Sequence, residues 1–294
     1  MIPSAAALAA MVAETVPDAE IRDIRRVGGG LAASTVAVDT RAGDFIVKIY
    51  RPGSPAVPWE WESLTFAQRV NAPVPEPVAL DAGGRWFGSP AILMTRLPGR
   101  ADVKPADLDG WLRQIAHTLA RIHETDPTGA TGSLLRPLLG NRDVDWGIRS
   151  ALADRCVEAI RQHPPRPDGD PILMHGDFHP GNIVWTDGTL SGVVDWTGTR
   201  LGTRGFELAY CRGDIAMLFG MEAVRRFAEH YADLAGGIPA DLPVYDLMCG
   251  LAARKLGPSQ WLRAFRQQGC TDTPRQFAAR VTPFLRSALA ELGA

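Results

Sequence analysis

Residues 172–185 read ILMHGDFHPGNIVW, and residues 192–196 follow as GVVDW. Two apolar runs bracket the octet His175-Gly176-Asp177-Phe178-His179-Pro180-Gly181-Asn182, which is rich in titratable and turn-forming residues. That composition packs poorly and suits a loop at the end of a strand, where reactive side chains meet solvent. Asp177 and Asn182 stand five residues apart, and Asp195 follows thirteen residues later. The Asp187-Gly188 dipeptide is a hairpin signal, so NIVWT and LSGVVD fold back on one another and bring Asp195 beside Asn182. Oxygen donors then gather at one point, and oxygen is what a hard magnesium ion takes.

The surrounding chain excludes several classes of function. Its 294 residues suggest one large or two modest domains. The net charge of −2 gives no field to recruit nucleic acid or an anionic membrane. No window is long and apolar enough to span a bilayer. The first twenty residues lack the basic start of a signal peptide and carry Glu14, Asp18 and Glu20, so they read as a short amphipathic helix. Cys156, Cys211, Cys249 and Cys270 form no CxxC pair, which argues against a disulfide or metal framework and fits a reducing cytoplasm.

The first hundred residues read mainly as strands: EIRDIRRV, STVAVDT and DFIVKIY, separated by GGG at 28–30 and RAG at 41–43. WEWESLTFAQRV reads as a helix with Leu64, Phe66 and Val70 as core contacts, ended by APVPEP. RWFGSPAILMTRL reads as a strand pair, and LPGR at 97–100 marks a boundary between a lobe of residues 1–96 and one of 97–294. The second lobe reads as mainly helical. DLDGWLRQIAHTLARIHE and VDWGIRSALADRCVEAIRQH are helices, and four more are expected from Phe206 onward, broken by GGIPADLP and GCTDTP.

The step from Asp177 to Asn182 is the step from base to metal-binding amide in the protein-kinase catalytic loop H-R-D-x-x-x-x-N, where a later aspartate holds magnesium on the phosphates. The octet and the VVDW aspartate resemble the signature of the aminoglycoside phosphotransferase family, a branch of the protein-kinase-like fold. The resemblance runs from VGGG to the C-terminal helices. It implies an α+β, bilobal kinase-like fold: an antiparallel sheet lobe with one main helix that binds nucleotide, and a larger helical lobe that carries catalysis and the acceptor. It also implies transfer of the γ-phosphate of ATP or GTP, with Mg2+, to a hydroxyl of a small antibiotic-like or metabolite acceptor. By that resemblance Asp177 is the catalytic base, and Asn182 and Asp195 are the magnesium ligands. Two other readings are weaker. A purely structural turn does not need this set of acids in kinase register. A zinc site on His175, Asp177 and His179 finds no paired ligand among His117, His123, His163 and His230. Both loop histidines are expected to hydrogen-bond the loop backbone.

A kinase also needs a phosphate lid, an amine for the phosphates and a carboxylate to aim that amine. Gly28, Gly29 and Gly30, with Ser34 just after them, supply the lid. Lys48, in DFIVKIY, supplies the amine, and an amine among apolar residues needs a partner. Glu60 and Glu62 both qualify, with Glu60 preferred because Leu64 then falls one turn on, on the buried side. Met94, Thr95 and Leu97 form the segment between the lobes expected to meet the nucleotide base.

The acceptor is the least legible part. Residues 201–294 hold eleven Lys or Arg against nine Asp or Glu, a balance that argues mildly against a polycationic acceptor. Glu207 and Asp214 are the acids to watch there. The family usually has aspartate where GFELAY has Glu207, and the basic TGTRLGTRG after Trp196 reads as a solvated loop. Antibiotics, sugars, amino alcohols and metabolites all stay open. So do a nucleotide-binding regulator without transfer activity, and a protein kinase, although no APE-like anchor follows Asp195.

Overall fold

The computed structural model describes residues 3–27, 33–136, 147–148, 150–166 and 169–294. The expected lid glycines Gly28, Gly29 and Gly30 lie outside the described residues, as do parts of the expected second helix at 144–146 and 149.

Helix α1 (Ala5–Thr15) begins where Ser4 accepts the N–H of Ala7 at 3.1 Å. Five strands follow around one helix: β1 (Ile21–Arg26), β2 (Ala33–Thr40), β3 (Asp44–Tyr50), α2 (Ala56–Ala67), β4 (Pro77–Asp81) and β5 (Ala91–Thr95). They form an antiparallel sheet in the order β1-β2-β3-β5-β4. Alternation along β3 divides its side chains between two layers. Phe45 and Val47 pack with Leu8, Met11 and Val12 of α1, while Tyr50 joins Leu64 of α2 and Ile92 in the main core. Lys48, in step with Tyr50, therefore faces α2. Of the three contacts expected from α2, Leu64 and Val70 are buried and Phe66 is half-buried beneath the Arg69 guanidinium.

The rest is mostly helical: α3 (Leu108–His123), α4 (Ala151–Gln162), α5 (Arg204–Phe219), α6 (Met221–Ala235), α7 (Leu242–Leu256), α8 (Pro258–Gln267) and α9 (Pro274–Glu291). The buried α5 packs against α6, α7 and α9. Short strands carry the loop region: β6 (Arg100–Ala101), β7 (Ile172–Met174), β8 (Ile183–Thr186), β9 (Thr189–Val193) and β10 (Arg200–Gly202). β7 pairs with β10, and β8 lies between β6 and β9. Asp187 and Gly188 both take positive φ at the β8–β9 turn, as a two-residue hairpin of this type requires. Among the described residues no helix is long and apolar enough to cross a membrane.

Three expectations are corrected. The strand pair is not RWFGSPAILMTRL: its first strand is Pro77–Asp81, and residues 83–89 form the turn. Pro77 opens an edge strand, a place where its missing N–H costs little. The helix expected over 144–163 starts only at Ala151, where Ser150 accepts the N–H of Ala153. Beyond residue 203 five helices are found, because Gly220 and Gly257, both at positive φ, end helices α5 and α7, the second with Pro258 opening the next helix at once.

Candidate active site

β7 delivers the chain into the octet. Gly176 has φ +81°, and a Cβ there would lie 2.0 Å from the carbonyl oxygen of Gly198, so only glycine fits. His175 is buried and serves the backbone: its Nδ1 accepts the N–H of Asp177 at 3.2 Å, and its Nε2 faces the carbonyl of Val194 at 3.0 Å. These partners place the ring proton on Nε2 and tie the loop to the residue before Asp195. His179 Nδ1 accepts from Gly181 N at 3.1 Å. Burial pushes the His179 imidazole down, although the Asp177 charge opposes it.

Asp177 accepts from two side chains: its Oδ1 from the Tyr210 hydroxyl at 2.8 Å, its Oδ2 from Asn182 Nδ2 at 3.0 Å. Asn182 also donates to the Asp177 carbonyl at 3.0 Å. Spending the amide N–H groups this way turns the Asn182 carbonyl oxygen away from Asp177. The hairpin then does what the spacing implies. Ile183 pairs with Val193, and Val194 N donates to the backbone carbonyl of Asn182 at 2.8 Å, so Asp195 emerges next to Asn182. Asp195 sits in the left-handed region (φ 64°, ψ 62°), an uncommon conformation for a residue with a side chain.

On the sheet side, Lys48 Nζ donates to Glu60 Oε1 at 2.5 Å and to Asp195 Oδ1 at 2.9 Å. Glu60 is 1% exposed, and its other oxygen takes the Tyr50 hydroxyl and, at 2.9 Å, the Thr197 hydroxyl. Thr197 also lies 3.0 Å from Asp195 Oδ1. Of the two glutamates left open by the sequence, Glu60 is therefore the partner of Lys48. Burial pulls the Lys48 ammonium down, but the two carboxylates outweigh it and hold it above its usual value. Burial likewise raises Asp195, and the Lys48 charge with its hydrogen bonds reverses this, so the carboxyl stays below its usual range.

Asp195 Oδ2 and the Asn182 amide oxygen have no protein partner among the described residues. Both are hard oxygen donors on adjoining positions, which fits the chemistry of a magnesium ion that keeps some of its waters. Neither nitrogen of His175 is spare for a zinc ion.

Ser34 Oγ is buried and unpartnered on β2, opposite Ile49. Met94 is buried in the core. Thr95 is used by the sheet: its N–H goes to the Glu76 carbonyl at 2.9 Å, and its hydroxyl accepts from Glu76 N at 2.8 Å. Arg96 N is bound to the Asp44 carbonyl, and the N–H of Leu97 has no backbone acceptor among the described residues.

Glu207 is corrected as an acceptor-facing acid. It is 1% exposed and holds the loop from beneath, accepting from His175 N at 3.0 Å, from Gly176 N at 2.5 Å and lying 3.1 Å from His123 Nε2. Asp214 is equally buried, 3.4 Å from His179 Nδ1. Sequence reading missed Tyr210, Tyr50 and Thr197. The signal for Tyr210 was helical spacing, since Glu207, Tyr210 and Asp214 share one face of α5 at steps of three and four.

The comparisons with known proteins fit this geometry. A homoserine kinase of Beijerinckia indica subsp. indica is 28% identical over 207 residues, covering 64% of this chain and 63% of that protein. The chain thus spans somewhat under two thirds of the length of that curated relative. A thermostable mutant of aminoglycoside phosphotransferase APH(4)-Ia, solved in ternary complex with AMP-PNP and hygromycin B, has a TM-score of 0.65 at 15% identity, covering 96% of this chain and 98% of that one. Macrolide 2'-phosphotransferase MphH from Brachybacterium faecium has a TM-score of 0.66 at 18% identity, covering 94% and 98%. At such identities the likeness is one of fold. The model of the phosphotransferase enzyme family (APH) matches residues 23–248, most of the chain, and the protein belongs to that family.

Proposed function

We propose that the protein is a small-molecule kinase that moves the γ-phosphate of ATP or GTP to a hydroxyl of a small acceptor, with Mg2+ as cofactor. The observation that carries this is the juxtaposition of two polar groups, Asp177 with Asn182 at 3.0 Å and Lys48 with Asp195 and Glu60 at 2.9 and 2.5 Å, brought side by side by the backbone bond from Val194 N to the Asn182 carbonyl at 2.8 Å. In this reading residues 1–96 hold the nucleotide, and residues 97–294 supply the catalytic loop and the acceptor pocket.

Each residue has a defined task. Asp177 orients the acceptor hydroxyl and takes its proton. Tyr210 and Asn182 hold that carboxylate still. Lys48, aimed by Glu60, neutralises phosphate oxygens of the donor. Asn182 and Asp195 would hold the magnesium ion, which supplies charge neutralisation on the phosphates. Gly28, Gly29 and Gly30 cover the phosphates, and the Leu97 N–H with Met94 and Thr95 meets the base. Ser34, expected among the lid residues, pairs with Ile49 on the face of the sheet turned away from Lys48 and takes no part. Placement and charge neutralisation carry most of the rate in such transfers, so a rigid constellation of this kind suffices.

Homoserine, the substrate named for the curated relative, is the first acceptor to test. The test is a transfer screen with γ-labelled ATP and GTP and Mg2+. The panel holds homoserine, hygromycin B, kanamycin, a macrolide, sugars and amino alcohols. Label on at least one small hydroxyl compound is the expected result. Label on proteins only, or on nothing, overturns the proposal.

A further inference from the structure

Helix α2 carries a second carboxylate two residues beyond Glu60, and it also reaches out of the sheet region. Glu62 Oε2 accepts from Ser133 N at 2.9 Å and from Ser133 Oγ at 2.6 Å, and Oε1 accepts from Thr131 Oγ1 at 3.2 Å. The turn is shaped around this carboxylate. Gly132 has φ +52°, and a Cβ on it would lie 2.5 Å from Glu62 Oε1. Burial raises the Glu62 carboxyl, and the hydrogen bonds from Ser133 and Thr131 more than reverse that.

The same short segment reaches back toward the site. Arg136 Nε donates to the Ser133 carbonyl at 2.7 Å, and its Nη2 donates to the carbonyls of Thr197 and Thr199 at 3.2 and 3.1 Å. Its guanidinium lies 4.2 Å over the Trp59 ring, again on α2. Thr197 is the residue whose hydroxyl joins Glu60 to Asp195. Helix α2, residues 131–136 and the 195–199 segment therefore close a triangle of direct contacts. In kinases the pair between this lysine and this glutamate must be in place for transfer, and movement of the glutamate-bearing helix controls it. A helix tied at Trp59, Glu60 and Glu62 has no such freedom.

We propose that residues 131–136 are a strut that keeps the Lys48–Glu60 pair assembled before any substrate binds, and that Glu62 is its positioning residue. The inference rests on the kinase reading above. It means that the donor site is preformed, without a helix swing as a switch.

The test is binding of MgAMP-PNP, measured by calorimetry on the full chain, with hydrogen exchange across residues 56–67. Glu62→Ala is expected to weaken binding about tenfold and to speed exchange along α2. Glu62→Gln, which keeps an acceptor oxygen for Ser133, is expected to lose less than about threefold. In a Glu60→Ala background, removing Glu62 as well is expected to cost less than about twofold, because Glu62 acts through Glu60. Wild-type affinity and exchange in Glu62→Ala, or an equal loss in both backgrounds, overturns the proposal. If Glu62→Ala does not fold, Ser133→Ala makes the same comparison. A wild-type protein that binds neither MgAMP-PNP nor MgGMP-PNP refutes the kinase reading instead.

Discussion

Glu207, on helix α5, accepts the backbone N–H of His175 at 3.0 Å and has no contact with solvent that could replace it. With the bond from Gly176, one carboxylate holds the two residues that precede the proposed base. Removing it strands two N–H groups and leaves His123 without one of its partners. An unsatisfied buried donor costs about 1–3 kcal/mol. Glu207→Ala is therefore expected to lose about 2–5 kcal/mol of stability in urea unfolding, and to lower kcat by at least about tenfold in whatever fraction folds. Glu207→Asp, one methylene shorter, should fall between. Unchanged kcat and stability in the alanine variant would show that the loop holds itself.

Asp177 receives hydrogen bonds from Tyr210 and Asn182 on its two oxygens. If it is the base, Asp177→Asn removes proton acceptance with little change of shape. Turnover of the acceptor found by the screen is expected to fall roughly 10²–10⁴-fold, with the Kd for MgAMP-PNP within about threefold of wild type. Tyr210→Phe removes one orienting bond and is expected to cost nearer tenfold, in kcat rather than in nucleotide affinity. Near-normal turnover by Asp177→Asn would reject the base assignment.

The part of the site that could be read in the sequence is the part built from short-range order. Asp177, Asn182 and Asp195 lie within nineteen residues, and one Asp-Gly turn brings them together. The pairing of Lys48 with Glu60 over Glu62 could be argued, because strand alternation and helical spacing limit which carboxylate faces the sheet. The long-range partners could not. Glu207 looks like a pocket acid because it opens, with Asp214, the helical region expected to bind the acceptor, and only the tertiary fold puts the loop on top of it. Gly220 stops a helix by φ alone, and Gly257 does so with Pro258 directly after it, within runs whose apolar content otherwise continues. Pro77 disguised β4, since a proline beside other prolines reads as a break unless the strand is known to lie at an edge.

Lys48 and Glu60 form a buried pair, 15% and 1% exposed at the side chain. Lys48→Ala leaves Glu60 supported by two hydroxyls alone, and breaking such a pair on one side typically costs about 3–5 kcal/mol. The double variant Lys48→Met with Glu60→Gln removes both charges while keeping bulk. It is expected to regain most of the stability lost by Lys48→Ala, and to remain at least about a hundredfold below wild type in turnover. Thermal unfolding and initial rates on the three proteins test this. Recovery of turnover in the double variant would mean that the pair only stabilises the fold.

Asp214 is a buried carboxyl with no hydrogen bond on Oδ2, and it lies 1% exposed beneath His179. Burial first, and the charge of Asp177 second, push its pKa well above the usual carboxylate range. A folded-state pKa raised above the unfolded value, about 3.9, gives stability that is fully present below that value and is lost as pH rises toward and through the folded one. Asp214→Asn has no such loss. The stability of wild type relative to this variant is therefore expected to fall by about 1 kcal/mol or more between pH 4 and pH 8. The Lys48–Asp195 pair does not blur the measurement. Asp195 and Lys48 are present in both proteins, so the loss of the Asp195 contribution that begins near pH 4 and the loss of the Lys48 contribution in alkali are common to the two curves and cancel in their difference. Urea unfolding of both proteins at pH 4, 6 and 8 makes the comparison, and a difference that stays constant would mean that Asp214 ionises like an exposed aspartate.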